Sequence, residues 1–191
     1  QRVEPEQNLD SRLILNPRRA LPATNLMSNG HYSVMVSATG AGYSRLNDVS
    51  VTRWTSDATT DQAGTFIFLT DAETGDWWST TTEPKRAAGE IAETLFRDDM
   101  ATFVKTVGTV RTQVECVVMS EGNGEARRIT IVNEGPVERV FDVTSFAELA
   151  AAQDISDAAH PAFSKMFVKT EITRDGRAIL STLRGRSSFS A

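Results

Sequence analysis

The sequence has one cysteine, two histidines, two tyrosines and no apolar run near the length of a bilayer. Each scarcity excludes something. A single thiol, Cys116, cannot close an internal disulfide. It lies in VRTQVECVVM, where strand alternation groups it with Val110, Val114 and Val118, so it is expected to be a buried apolar filler, compatible with a reducing compartment. His31 and His160 are far apart in the chain and no CxxC pair is present, so no metal site is predicted. Spanning a bilayer takes about 20 consecutive apolar residues, and no segment qualifies. The opening QRVEPEQNLDSR also lacks the build of a signal peptide, so direct membrane insertion is not expected. Positive charge is short too. Lys and Arg number 20 against 25 Asp and Glu, the net charge is -5 and the isoelectric point is near 5.1, which argues against nucleic acid as a partner. The sequence holds no Walker loop, dinucleotide fingerprint or GxSxG elbow. The glycines of TGAGYS lack the phosphate-binding helix and lysine of such loops, so no cofactor is predicted.

What is present is a chain of 191 residues, 40% hydrophobic and 24% charged, sufficient for one sizeable core. Residues 1–24 are polar and punctuated by Pro5, Pro17 and Pro22, and read as an arm or linker with at most one short strand at Leu13 to Leu15. Residues 25–191 read as one β-sandwich domain. Short runs of period-two alternation follow one another between turn residues: HYSVMVS, GAGYSRL, DVSVTRW, TFIFLTD, WWSTTT, IAETLFRD, ATFVKTV, GTVRTQVECVVMS, EARRITIVN and VERVFDVTSFAEL. Near the end, FVKTEIT and RAILSTLR form a hairpin across Arg174-Asp175-Gly176. Alanines in 147–159 raise helix propensity, and a short helix or a loop is expected there. The fold class is therefore all-β, an antiparallel β-sandwich.

Paired carboxylates would mark glycoside chemistry. Asp48, Asp57, Asp61, Asp71, Asp98 and Asp99 are scattered, no spacing singles out a pair, and turn or capping roles outweigh catalytic ones. No catalytic residue is assigned. The aromatics are the better lead. Tyr43, Trp54, Trp77 and Trp78 stand beside hydrogen-bonding residues, and a sugar site needs flat apolar faces with a few polar groups converging on them. Tyr43, Ser44, Arg45, Arg53, Trp54, Asp57 and Trp78 are the carbohydrate-binding candidates, the first six expected to cluster at one end of the sandwich. Of the adjacent pair Trp77 and Trp78, alternation sends one ring inward and one outward, and only the outward ring can meet a ligand.

The stretch LMSNGHYSVMVSATGAGYSRLNDVSVTRWTSDATTDQAGTFIFLTDAETGDWWS resembles the N-terminal β-sandwich of glycoside hydrolase family 94, the inverting disaccharide phosphorylases. The resemblance runs through the elements SNGHYSVMV, GAGYSR, TRWTSD and GTFIFLTDAETGDWWS. It is nearer to the form found in bacterial cyclic β-1,2-glucan synthases. AAHPAFSKMFVKTE resembles the segment that follows, and the likeness runs from Asn25 to Arg184. It implies a super-sandwich-like domain, ending here before the family's sandwich would finish. Such a domain is non-catalytic alone: it packs against an (α/α)6 barrel, and helps form the dimer interface and the rim of the sugar site. The implied partners are a glucan or oligosaccharide, the remainder of the parent enzyme and a second copy. The implied place is the cytoplasm, at the inner membrane, as part of a membrane-anchored enzyme. A free-standing carbohydrate-binding module, a purely structural or dimerising domain and a hydrolase in its own right are the alternatives.

Overall fold

The computed structural model describes residues 11–18, 21–54, 62–153 and 165–184. The strands, in chain order, are β1 (Ser11–Ile14), β2 (Thr24–Ser28), β3 (Tyr32–Ser37), β4 (Gly42–Leu46), β5 (Val49–Thr52), β6 (Thr65–Asp71), β7 (Trp77–Ser79) and β8 (Ile91–Arg97). Then come β9 (Met100–Val107), β10 (Val110–Val118), β11 (Glu125–Asn133), β12 (Phe141–Ala147), β13 (Leu149–Gln153), β14 (Val168–Ile172) and β15 (Ile179–Leu183). Every pairing among the described residues is antiparallel. The fold is the all-β, antiparallel class that the alternating runs predict.

The strands form a five-stranded sheet in the order β1-β8-β9-β10-β11, another in the order β13-β5-β4-β3-β2, a three-stranded sheet β12-β6-β7 and the hairpin β14-β15. The arm contributes β1 to the edge of the first sheet, where Ser11 to Ile14 pair with Arg97 to Thr94 and Ile14 enters the core.

The sheet built on β8 to β11 is the common wall. Alternation points Ala101 and Phe103 of β9, and Val110, Val114 and Cys116 of β10, to one face, all of them buried. Against the β1 end of that face lie Met27, Tyr32, Val34 and Val36 of the β2–β5 sheet, with Phe96 meeting Phe103 edge to face at 6.4 Å. Cys116 sits in this cluster as the buried filler that its spacing implies, and burial pushes its thiol up to about 11. A second, smaller cluster gathers Leu69 of β6 and Trp78 of β7 on Val110, with Phe141 and Ile131 packed at its margin. One wall thus backs two facing sheets.

Between the two clusters the wall turns polar. Lys105 of β9, 1% exposed, places Nζ 3.0 Å from the Thr81 carbonyl and 2.7 Å from Glu90 Oε2. Thr112, opposite it on β10, donates to the Lys105 carbonyl at 3.2 Å. Burial lowers the Lys105 pKa and Glu90 partly restores it.

The helix or loop expected over 147–159 is corrected where it is described. Residues Leu149–Gln153 form β13, paired with β5 through Leu149 to Thr52 and Ala152 to Ser50 across a bulge. Tertiary pairing overrides the alanine propensity, Ala150 is fully buried, and Ala151 takes φ +49° at the bulge. Residues 154–159 lie outside the described part.

Candidate functional site

Strand β4 decides which candidates meet. In the register Val34↔Ser44 and Met35↔Tyr43, successive residues face opposite sides, so Tyr43 and Arg45 share the outer face while Ser44 turns inward. The ring of Trp54, just past β5, reaches back to Tyr43 with centroids 5.7 Å apart and planes at 67°. The Arg45 guanidinium carbon lies 4.8 Å from the Tyr43 centroid. Tyr43, Arg45 and Trp54 therefore form one aromatic–cationic corner, with Trp54 36% exposed.

The other candidates among the described residues do not join that surface. Ser44 is buried, and its hydroxyl donates to Glu125 Oε2 at 3.0 Å while its N–H donates to Thr52 Oγ1 at 2.8 Å. Arg53 is 5% exposed and binds Glu148 Oε1 at 2.8 Å, an oxygen that also takes Lys165 Nζ at 2.5 Å. Burial works against the Glu148 carboxylate, but Lys165 and Arg53 outweigh it and hold its pKa below the usual value. Asp57 lies outside the described residues. Trp78 needs correcting as an outward ring. It is 4% exposed and packs edge to face on Phe141 at 6.0 Å, on a different sheet from Tyr43, because alternation on β7 sends Trp77 out instead.

A concave surface surrounds Trp77, which is 49% exposed. Its ring meets Phe68 edge to face at 5.6 Å and carries Lys85 Nζ 5.1 Å from its centroid. The groove, about 460 Å³, is also lined by Asp76, Arg86, Gly108 and Arg139. Arg139 donates through Nε to Asp71 Oδ2 at 2.9 Å and stacks over Phe141. Asp71 Oδ1 in turn accepts the N–H groups of Glu73 and Thr74 at 2.8 and 3.0 Å, the turn-capping role that its position implies. Those N–H groups, that of Thr74 foremost, and Arg139 lower its pKa. Sequence reading misses this groove because Arg139 comes from a segment far along the chain from Trp77, Lys85 and Arg86. Parity on β7 supplies one outward ring, but not that the outward ring is Trp77.

Among the described residues no cluster of His, Cys, Asp and Glu is built to hold a metal ion, and no helix is long and apolar enough to cross a membrane. The arrangement offers aromatic faces flanked by cations and hydrogen-bonding groups, which suits recognition of hydroxyl-rich molecules. By fold this is an antiparallel β-sandwich with two apolar clusters. Residues 10–190 match the glycosyl hydrolase 94 supersandwich domain, and the chain belongs to that family. It is 53% identical over 176 residues to the cyclic beta-(1,2)-glucan synthase NdvB of Rhizobium meliloti (strain 1021), covering 92% of this chain and 6% of that protein. It is 27% identical over 135 residues to the N,N'-diacetylchitobiose phosphorylase of Vibrio proteolyticus, covering 69% of this chain and 15% of the relative. A Vibrio furnissii N,N'-diacetylchitobiose phosphorylase is 32% identical over 75 residues, or 38% of this chain and 9% of the relative. The chain thus spans a small fraction of the length of each relative.

Proposed function

We propose that this domain is a non-catalytic part of a large glucan-processing enzyme, one related to cyclic β-1,2-glucan synthases and disaccharide phosphorylases. In it the domain packs against the remainder of the enzyme and helps to position glucan. The observation that carries the glucan part is the Tyr43–Trp54–Arg45 corner. Two rings meet there at 67° with a guanidinium over one of them, partly open to solvent. Pyranose C–H faces pack on such rings while the guanidinium donates to hydroxyls. The same reading places the domain on the cytoplasmic side of the inner membrane, within a membrane-anchored protein.

The test is titration of the chain with linear and cyclic β-1,2-glucans and with cello-oligosaccharides, followed by tryptophan fluorescence. Saturable quenching by the β-1,2-glucans is expected, weakened about tenfold or more in Trp54→Ala, the scale of truncating an aromatic anchor. A folded chain that responds to no glucan overturns the glucan part.

The alternative of a purely structural or dimerising domain is favoured by a different observation. Val143 and Phe146 of the edge strand β12, and Ile172, Ile179 and Leu180 of the β14-β15 hairpin, are exposed large apolar residues. Large apolar side chains left exposed along an edge strand and a neighbouring hairpin suit cover by another domain or copy. Sedimentation velocity across a concentration series separates the two: a monomer that binds glucan supports the first reading, and a self-associating chain without glucan affinity supports the second.

A further inference from the structure

The groove at Trp77 is separate from the Tyr43–Trp54 corner. It lies on the β12-β6-β7 sheet and its flank, and it gathers more cations than the single guanidinium of that corner. Three cations, Lys85, Arg86 and Arg139, line it against one carboxylate, Asp76. Arg139 is already neutralised by Asp71, and Arg86 lies 3.5 Å from Glu83. Lys85 makes no ion pair with a carboxylate among the described residues; its ammonium rests on the indole of Trp77. The Lys85 main chain is fixed independently of its side chain: the N–H donates to Ser79 Oγ at 3.2 Å, and the carbonyl accepts both the Ser79 N–H at 2.9 Å and its hydroxyl at 2.7 Å. The cation is therefore a movable group on a rigid base, beside a half-exposed ring that it partly shields.

From this we infer that the Trp77 groove is a second binding site, for a saccharide bearing an anionic substituent such as a carboxylate or phosphate. An acidic group entering the groove exchanges the cation–π contact of Lys85 for a charge-assisted hydrogen bond, and Arg86 stands beside it to share the charge. Once the ammonium swings away, the indole face is open to the C–H face of the sugar ring. Gly108, which also lines the groove, has open space where a side chain would stand, so a ring can approach the backbone there. A neutral sugar gains only the ring contact and must compete with the ammonium for it, so the site discriminates by charge.

The experiment uses the 191-residue chain as Trp54→Phe, in which Trp77 is the only indole with substantial exposure and the Tyr43–Trp54 corner has lost its reporter. The probes are carboxymethylated cello-oligosaccharides, the unmodified oligosaccharides of the same length, and inorganic phosphate alone. The expected result is a saturable fluorescence change with the carboxymethylated probe, about tenfold tighter than with the neutral one, the scale of one charge-assisted hydrogen bond. That preference should vanish in Lys85→Ala, and at high salt as the charges are screened. Gly108 and Trp77 amide shifts in an NMR titration should move with the probe. Equal response to neutral and acidic sugars, no response at all, or a preference that survives Lys85→Ala overturns the inference. Saturation by phosphate alone at the affinity of the acidic sugar would also overturn it, since the sugar ring would then contribute nothing. Because Trp54 is replaced throughout, these outcomes are independent of whether the Tyr43–Trp54 corner binds glucan.

Discussion

At the scale of single residues, the buried titratable groups set the pH limits of the fold. The Cys116 thiol has its pKa raised from 9.0 to about 11 by burial, so between those values the unfolded chain gives up a proton that the native chain keeps. Stability therefore falls as pH rises through that window, by about 2–3 kcal/mol from this group once fully traversed. Tyr32, raised by burial and by Glu125, acts in the same direction at somewhat higher pH. Lys105 acts oppositely: its depressed pKa means that the unfolded chain holds the extra proton, so its own contribution improves with rising pH. Urea midpoints measured from pH 8 to 11 should decline less steeply in Cys116→Ala than in the parent, over a constant offset from the small cavity. At the acid end, Asp71 and Glu148 have lowered pKa values, so the stability they lend is whole above the usual carboxylate range and is lost as pH falls through their native values. Asp71→Asn should flatten the acid limb of the same series. Removing the Lys105 side chain leaves Glu90 without its amine, and Lys105→Ala should cost about 3–5 kcal/mol, the range for breaking a buried pair from one side.

At the scale of elements, the β3–β4 connection is the most demanding turn. A Cβ at Gly42 would stand 2.0 Å from the Met35 carbonyl oxygen, and one at Gly40, where φ is +101°, would stand 2.4 Å from Thr81 Cβ. The glycines of TGAGYS serve close backbone packing, which brings Tyr43 into line with Met35 and so places the corner. Gly42→Ala should destabilise the chain by about 1–3 kcal/mol or more, as overpacking does, lowering the thermal midpoint in circular dichroism and the affinity for any glucan bound at Tyr43. The same scale shows what could be read in advance. Strands β3 to β11 were legible because each lies in a short alternating or apolar run between clear turn residues, whereas β2 falls before the first run that the sequence reading recognises. β13 was not, because alanine reports helix propensity, and its pairing with β5 depends on a segment about 100 residues away. The parity of β7 was legible as one ring in and one out. Which ring pointed inward was not, since it depends on the cluster of Leu69, Val110 and Phe141 beneath it. Ser44 on β4 fell to the same rule.

At the scale of the whole molecule, a single sheet shared by two apolar clusters predicts one cooperative transition, because β10 carries Cys116 and Val114 into one cluster and Val110 into the other. Val110→Ala and Val114→Ala should both lower the same transition in calorimetry, without splitting it into two. The cationic groove was invisible to sequence reading at this scale as well, since it is made by the meeting of the β7 face, the loop after Ser79 and the chain entering β12.

The polar seam has a mechanical meaning. Two apolar faces in contact hold each other without fixing their position, because one methyl contact substitutes for another as the layers slide. The Lys105 ammonium, joined at once to the Thr81 carbonyl and to Glu90, tolerates no such slip: moving it by the spacing of one residue breaks both bonds and leaves a charge in a dry place. It works as a locating pin between the layers, so the loop that carries Lys85 and Arg86, anchored at Thr81 a few residues earlier, keeps a fixed address on the wall.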